Sequence, residues 1–136
     1  FQLYTVLRER PRLVCVPDAA FLLSMNGQSK VYYLEQDRAT SGVRQIANSK
    51  TAGYAEMAER LLHRRHFPEA TLDAFSVLMV APNSKRRDAL RRAIKGKPGW
   101  ELWRFVSAED LTPEKLLYET VYYTCDDGPR PLLRRI

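Results

Sequence analysis

Four charged residues in the first half of the chain are of types that could bind a metal ion or act on a phosphate group. Asp18 precedes a hydrophobic segment, Glu35 and Asp37 end the segment VYYLEQD, and Lys50 lies in the helical pattern that follows. Residues two apart in a strand point to the same face of a sheet, so Glu35 and Asp37 share one face. Carboxylate oxygens suit Mg²⁺ or Mn²⁺ better than zinc. If a divalent cation lies beside Asp18, Glu35 and Asp37, these residue types therefore predict Mg²⁺ or Mn²⁺.

The turn at Asn26-Gly27 determines which residue Asp18 faces, because this pair strongly favours a two-residue loop between antiparallel strands. With a two-residue loop, Asp18 lies opposite Glu35. A four-residue loop places it opposite Asp37, and only a three-residue loop places a neutral residue there. Two facing carboxylates repel each other when both are charged. We therefore expect a cation between them.

A lysine on the next segment is a second candidate for that cation. Apolar residues recur with the period of a helix over residues 41–65, and Lys50 falls on this apolar stripe one turn before Tyr54. A lysine directed at a sheet is costly unless it meets an anion, so we expect Lys50 to meet the carboxylates. The alternative is that the acids are solvated at the end of the strand and that Lys50 extends past the core into water.

The rest of the pattern predicts one α/β domain over residues 1–136. Residues 3–10 are interpreted as the end of an earlier helix, which gives an α/β/α sandwich on a mixed sheet with core order αβββαβ. We predict strands at 13–25, 30–37, 73–82 and 100–107, helices at 41–65 and 84–96, a helical turn at 112–117, and a C-terminal hairpin at 119–133 that turns at Asp127-Gly128.

The charge balance indicates a polyanionic partner. The chain has 22 basic and 16 acidic residues, which gives a net charge of +6. Much of this charge lies on the predicted helix 84–96, which could follow a DNA phosphate backbone. A solvated basic face is the alternative. The candidate DNA-binding residues of this helix are Lys85, Arg86, Arg87, Arg91 and Arg92.

Other features bear on location. No stretch approaches the roughly 20 apolar residues of a membrane span, so no membrane association is expected. Cys15 and Cys125 lack the spacing of metal ligands and are interpreted as reduced residues of a cytoplasmic protein, with a single disulfide between them as the alternative. The chain does not begin with methionine, and we expect it to be a fragment of a longer protein.

Three motifs follow one another along the chain: Pro17-Asp18, Glu35-x-Asp37-x-x-Thr40 and Lys50-x-x-x-Tyr54. Their order and spacing resemble the plasmid replication-relaxation family, which includes the MobC-type relaxases of mobilisable plasmids. The segment FSVLMV with its following basic helix and the late DDGPRPLL also fit, so the resemblance covers the chain from about residue 12 to the end. That family resembles the PD-(D/E)XK nucleases, in which acids of neighbouring strands hold a metal ion.

The resemblance implies a restriction-endonuclease-like fold and a Mg²⁺- or Mn²⁺-dependent endonuclease that nicks DNA at a plasmid origin during mobilisation or replication. It departs from the nuclease motif E-x-K in having Asp37 at the lysine position, and Lys50 would supply the ammonium group. The alternative function is a DNA-binding module that recruits replication or transfer proteins to the origin without cleaving it. The resemblance assigns metal binding to Asp18, Glu35 and Asp37, catalysis to these acids with Lys50, and DNA contacts to Arg38, Thr40 and Tyr54.

The histidine content argues against another class of relaxase. Relaxases of the other large class gather a histidine cluster around a metal and use a tyrosine nucleophile. This chain contains only two histidines, His63 and His66, without a third ligand in the pattern. The tyrosines are therefore interpreted as core and sheet residues.

Overall fold

A computed structural model describes residues 3–133. Among these residues, no helix combines the length and apolarity needed to cross a bilayer. The regular elements in chain order are β1 (Thr5–Glu9), β2 (Arg12–Cys15), β3 (Ala19–Met25), β4 (Gln28–Gln36), α1 (Val43–Glu59), α2 (His63–His66), β5 (Ser76–Ala81), α3 (Ser84–Ile94) and β6 (Trp103–Ser107), with 3-10 turns at Trp100–Leu102 and Ala108–Asp110.

The main sheet is mixed and has four strands in the order β3-β4-β5-β6. Strands β3 and β4 are antiparallel, whereas β4, β5 and β6 run parallel to one another. Parallel neighbours need a long crossover. The crossover from β4 to β5 contains α1 and α2, and the one from β5 to β6 contains α3. The predicted α/β class with a mixed sheet is thereby confirmed.

The β3–β4 hairpin has the two-residue loop favoured by its sequence. Asn26 and Gly27 adopt φ angles of 52° and 78°, the left-handed values that a type I′ turn requires at both positions. Met25 pairs directly with Gln28, and the pairing continues without a break along both strands. This result selects one of the registers considered above.

Both long helices lie on the same face of the sheet. Tyr33 and Phe105 of the sheet share one core with Tyr54 of α1 and Leu90 of α3. The opposite face is covered by the C-terminal segment, defined as residues 111–132, without a helix. Among the described residues, the arrangement therefore has one helical layer, and the second helical layer of the predicted α/β/α sandwich is not seen.

The predicted helix at 3–10 is wrong. This segment forms β1, which pairs with β2 in a separate antiparallel hairpin packed on α1. The approach to α1 is close: a Cβ atom on Gly53 would lie 2.9 Å from the Val14 carbonyl oxygen. The predicted strand 13–25 is interrupted at Pro17, because proline has no N–H for strand pairing.

Other boundaries differ in smaller ways. The predicted helix 41–65 ends at Glu59, and Leu61 then adopts a left-handed φ of 53° before the short α2. The predicted helical turn at 112–117 is a series of turns. The predicted C-terminal hairpin is reduced to a short antiparallel pairing between Tyr122 and Arg130.

Candidate functional site

An open cleft of about 630 Å³ lies at the end of the β3–β4 hairpin, beside the N-terminal half of α1. It is formed at the carboxyl end of β4, the edge at which α/β sheets usually bind ligands. The helix supplies Ile46 and Lys50 to one wall. Six of the predicted site residues line this cleft: Asp18, Glu35, Asp37, Arg38, Thr40 and Lys50.

Glu35 is the central acid of the cleft and is only 3% exposed. Its Oε1 lies 3.2 Å from the Nζ atom of Lys50, and its Oε2 accepts a hydrogen bond of 2.7 Å from the Tyr54 hydroxyl. Burial raises the pKa of Glu35, and the charge of Asp18 adds to this effect, while Tyr54 and Lys50 oppose it. The helical phase of α1 thus delivers both a cation and a hydrogen-bond donor to one buried carboxylate.

Asp18 is exposed and is held beside Glu35 by main-chain bonds to β4. Its N–H donates to the carbonyl oxygen of Leu34 at 3.0 Å, and its Oδ2 accepts from the N–H of Gln36 at 2.8 Å. Because Ala19 pairs with Leu34, the next position along each strand places Asp18 opposite Glu35. Among the described residues, Oδ1 is the Asp18 oxygen that makes no hydrogen bond.

Asp37 lies in the same cleft but is bound by an arginine. Its Oδ2 accepts from Arg86 Nε at 2.7 Å, and its Oδ1 accepts from Arg86 Nη2 and from the N–H of Ala39, each at 3.0 Å. Asp37 is buried, and the Arg86 side chain is largely so. The assignments of Asp37 as a metal ligand and of Arg86 as a DNA contact therefore do not fit this geometry.

The pairing of Asp37 with Arg86 was not predicted from the sequence, because the two residues are 49 positions apart. Parallel pairing places the end of β4 beside the end of β5, where Asp37 N–H donates to Val80. Helix α3 begins there, with Asn83 as its N-cap accepting from the N–H of Arg86 at 2.9 Å. The signal that could have indicated this pair has two parts. One strand ends in an acidic residue, and the helix that follows the neighbouring strand has a basic residue in its first turn.

Two carboxylates therefore remain as candidate metal ligands. Across residues 3–133, no three histidine, cysteine or acidic side chains are grouped in a way that could hold a metal ion. Mg²⁺, however, is often held by only one or two carboxylates together with water and substrate phosphates. Asp18 and Glu35 are hard-oxygen donors of that kind, suited by type to Mg²⁺ or Mn²⁺. Both oxygens of Glu35 already contact Lys50 or Tyr54, so a metal ion would share them with these partners.

Several of the residues predicted to contact DNA are instead buried or bound to other residues of the protein. Tyr54 is 1% exposed, so its direct contact with DNA is excluded in this arrangement. The guanidinium of Arg87 is buried 4.0 Å from the centre of the Tyr123 ring and pairs with Asp88. Arg91 lies over the same ring and donates to a carbonyl of the C-terminal segment. Lys85 and Arg92, by contrast, are exposed.

A second concavity, the α1–α3 groove, has a volume of about 620 Å³. Its basic residues are Arg44, Arg92 and Lys97, and no acidic residue lines it. The N-terminal half of α1 separates the groove from the cleft, since Ala47 lines the groove while Lys50 lines the cleft. Arg44 was not predicted from the sequence, and the signal that could have found it is a basic side chain off the apolar stripe near a helix terminus.

Comparisons with protein-family models, curated proteins and solved structures find no match.

Proposed function

We propose that this protein is a metal-dependent DNA endonuclease with a restriction-endonuclease-like fold, which nicks DNA at a plasmid origin in mobilisation or replication. The observation that carries the proposal is the placement of Asp18 opposite Glu35, with the Lys50 ammonium 3.2 Å from Glu35, in one open cleft. Two acids of neighbouring strands and a lysine from the next helix are the groups that the resemblance implies for phosphodiester hydrolysis.

Each residue has a distinct role in the proposed reaction. Asp18 and Glu35 would hold Mg²⁺ or Mn²⁺, which when bound supplies a Lewis acid at the phosphate and lowers the pKa of a bound water. The Lys50 side chain is 40% exposed, so its ammonium can approach a phosphate in the cleft and stabilise negative charge there. Tyr54 is a positioning residue, because its hydroxyl fixes one oxygen of Glu35.

The DNA would cross the N-terminal half of α1 between the two concavities. Arg38 and Thr40 are exposed at the cleft and would contact the phosphates next to the cut. Arg44 and Arg92 are exposed at the α1–α3 groove and would contact the backbone farther along. Arginine and lysine contacts to phosphates release counterions and supply most of the affinity that does not depend on sequence.

Conversion of supercoiled plasmid DNA to the nicked circle, with and without Mg²⁺ or Mn²⁺, tests this proposal. We expect metal-dependent nicking by the wild type and a loss of about a hundredfold or more in Asp18→Asn and Glu35→Gln. Glu69→Gln is the matched control, because Glu69 is exposed and lies outside the cleft. Nicking by Glu35→Gln at the wild-type rate would contradict the assignment.

One observation favours the second candidate, a DNA-binding module without cleavage. Asp37, one of the three predicted metal ligands, instead stabilises the junction of β4 and α3 through Arg86. The remaining acids would then also serve the fold. This candidate is preferred if the wild type binds DNA but does not cleave it with either metal, and if the Asp18→Asn variant binds DNA as tightly as the wild type does.

A further inference from the structure

A third pocket, of about 260 Å³, lies on the face of the sheet that carries no helix. Alternate residues of three neighbouring strands form its floor: Lys30 and Tyr32 of β4, Ser76 of β5 and Arg104 of β6. Tyr32 pairs with Ser76, and Leu78, two residues after Ser76, pairs with Arg104, so these side chains share one face. The C-terminal segment supplies the remaining wall, including Tyr122, Thr124 and Arg130.

The pocket holds two basic groups that have no acidic partner. Lys30 and Arg104 are both half-buried, and neither forms an ion pair with any residue that the structure describes. Arg104 donates from Nη1 to the carbonyl oxygens of Glu101 and Trp103, each at 2.9 Å. The Lys30 ammonium lies 5.3 Å from the centre of the Tyr32 ring. These contacts are with neutral groups, so they leave both positive charges uncompensated.

The two charges also act on each other. Burial lowers the pKa of Lys30, and the positive charge of Arg104 lowers it further. Arg130, the third basic residue of the lining, is exposed and pairs with Asp127. No aspartate or glutamate lines the pocket, so its lining offers no acidic partner to Lys30 or Arg104. Withdrawing a charge from water is costly unless it is paired, so two half-buried positive charges without an acidic partner favour the binding of an external anion.

We propose that this pocket binds a phosphate group, held between the Lys30 ammonium and the Arg104 guanidinium with the hydroxyl groups of Ser76 and Tyr32 beside them. Arginine and lysine form charge-assisted hydrogen bonds to phosphate oxygens, and such bonds are about twice as strong as neutral ones. The volume is below the range of about 300–1,000 Å³ typical of drug-sized ligands, so the pocket suits a small anion or the phosphate end of a longer molecule.

This site is independent of the proposed nuclease function. Lys30 lies near the start of β4 and Glu35 near its end, and their odd separation in sequence places them on opposite faces of the strand. A loss of phosphate binding would therefore leave the acids of the cleft in place. The phosphate could be free inorganic phosphate or the terminal phosphate of a nucleic acid strand, because both present the same oxygens.

The test measures the affinity for inorganic phosphate by calorimetry and the melting temperature in phosphate against chloride at constant ionic strength. We expect phosphate to raise the melting temperature of the wild type. We also expect the affinity of Lys30→Met for phosphate to be lower than that of the wild type by about tenfold or more. Without phosphate, Lys30→Met should melt no lower than the wild type, because the substitution removes repulsion with Arg104. Lys115→Met, which removes an exposed charge outside the pocket, should bind phosphate like the wild type.

A second measurement does not depend on the folding of a variant. Phosphate should slow the acylation of Lys30 in the wild-type protein, followed by mass spectrometry, while leaving Lys115 unaffected. Inorganic phosphate and 5′-phosphorylated and 5′-hydroxyl oligonucleotides are compared to separate the two sources. Protection of Lys30 by the phosphorylated strand at a lower concentration than by inorganic phosphate assigns a strand end, and protection by inorganic phosphate at an equal or lower concentration assigns the free ion. Unchanged acylation in every arm, or equal phosphate stabilisation of Lys30→Met and wild type, would overturn the proposal.

Discussion

Glu35 combines burial, a facing acid and a cation, and this combination predicts how it responds to substitution. Glutamine keeps the shape of the side chain and can still accept from the Tyr54 hydroxyl. In EDTA we therefore expect Glu35→Gln and Asp18→Asn to melt no lower than the wild type, although both lose nicking, because each removes one of two facing charges. Thermal melts of the three proteins check this. A clearly lower melting temperature for both variants would indicate a structural cluster.

The wild type and Glu35→Gln also allow a test of pH dependence, in which the direction of the effect is defined. The folded-state pKa of Glu35 is raised above its ordinary value of 4.5, so the folded protein holds this proton more tightly than the unfolded chain. The stability that depends on this proton is complete at low pH and is lost as the pH rises through the folded pKa. The advantage of Glu35→Gln in melting temperature should therefore widen above about pH 4.5 and then level off.

Lys50 is expected to behave differently from the acids. Its removal leaves the buried carboxylate of Glu35 without a cation, so Lys50→Met should lose both nicking and stability. The loss of stability should be about 1 kcal/mol, below the roughly 3–5 kcal/mol of a fully buried pair, because Lys50 is 40% exposed and solvent screens it. A double-mutant cycle with Glu35→Gln checks the cause, since the double variant should recover the lost stability. Additive losses would contradict it.

At the residue scale, the sequence revealed contacts that depend on local periodicity. Lys50 and Tyr54 are one helical turn apart, so a single phase brings both to Glu35. The contact of Asp37 with Arg86 could not be found in this way, because it depends on β5 lying next to β4, which local patterns do not determine.

At the scale of elements, the β3–β4 hairpin was predictable because Asn26-Gly27 favours a two-residue turn, and the structure selects that register from the three considered. The β1–β2 hairpin was not. Its strands are short and are mostly exposed or half-buried, so a periodic pattern that distinguishes strand from helix is weak there. The close approach of β2 to Gly53 of α1 is a tertiary contact that no local pattern contains.

Arg91 is one of the residues that join helix α3 to the C-terminal segment, and its contribution can be tested with the neighbouring Arg92 as control. Arg91 donates to the Thr124 carbonyl at 2.7 Å, pairs with Asp88 and lies 4.6 Å from the centre of the Tyr123 ring. We expect Arg91→Ala to reduce the free energy of unfolding by about 2 kcal/mol, because these contacts are lost together. Exposed Arg92→Ala should stay within about 0.5 kcal/mol of the wild type.

Hydrogen exchange locates the effect of that substitution. The N–H groups of Tyr122 and Tyr123 bond to Arg130 and to Phe105 of β6, so they report the docking of the C-terminal segment. They should exchange faster in Arg91→Ala and be unchanged in Arg92→Ala. Equal stability of the two variants would contradict this role and would favour the sequence-based prediction that Arg91 contacts DNA.

At the scale of the whole molecule, the sheet separates two sites of opposite character. Its helical face ends in the acidic cleft, and its other face forms the basic pocket under the C-terminal segment. The charge balance of the sequence indicated a polyanionic partner but could not locate it. The location depends on which arginines the fold uses internally, and the pairing of Arg86, Arg87 and Arg91 leaves fewer free than the sequence suggested.

The net charge of +6 and the position of the free arginines together predict the salt dependence of DNA binding. The logarithm of the affinity should fall linearly with the logarithm of the salt concentration, with a slope of about 0.9 for each phosphate neutralised on duplex DNA. If the DNA backbone crosses the α1–α3 groove, the double variant Arg44→Gln/Arg92→Gln should lose about two phosphate contacts. The magnitude of the slope should then fall by about 0.9 for each of them. Arg65→Gln with Lys115→Gln removes the same charge from exposed positions outside the groove and should leave the slope nearly unchanged. Fluorescence anisotropy with a labelled duplex over a series of salt concentrations measures both slopes, and an equal reduction in the two double variants would mean that the DNA responds to net charge rather than to the groove.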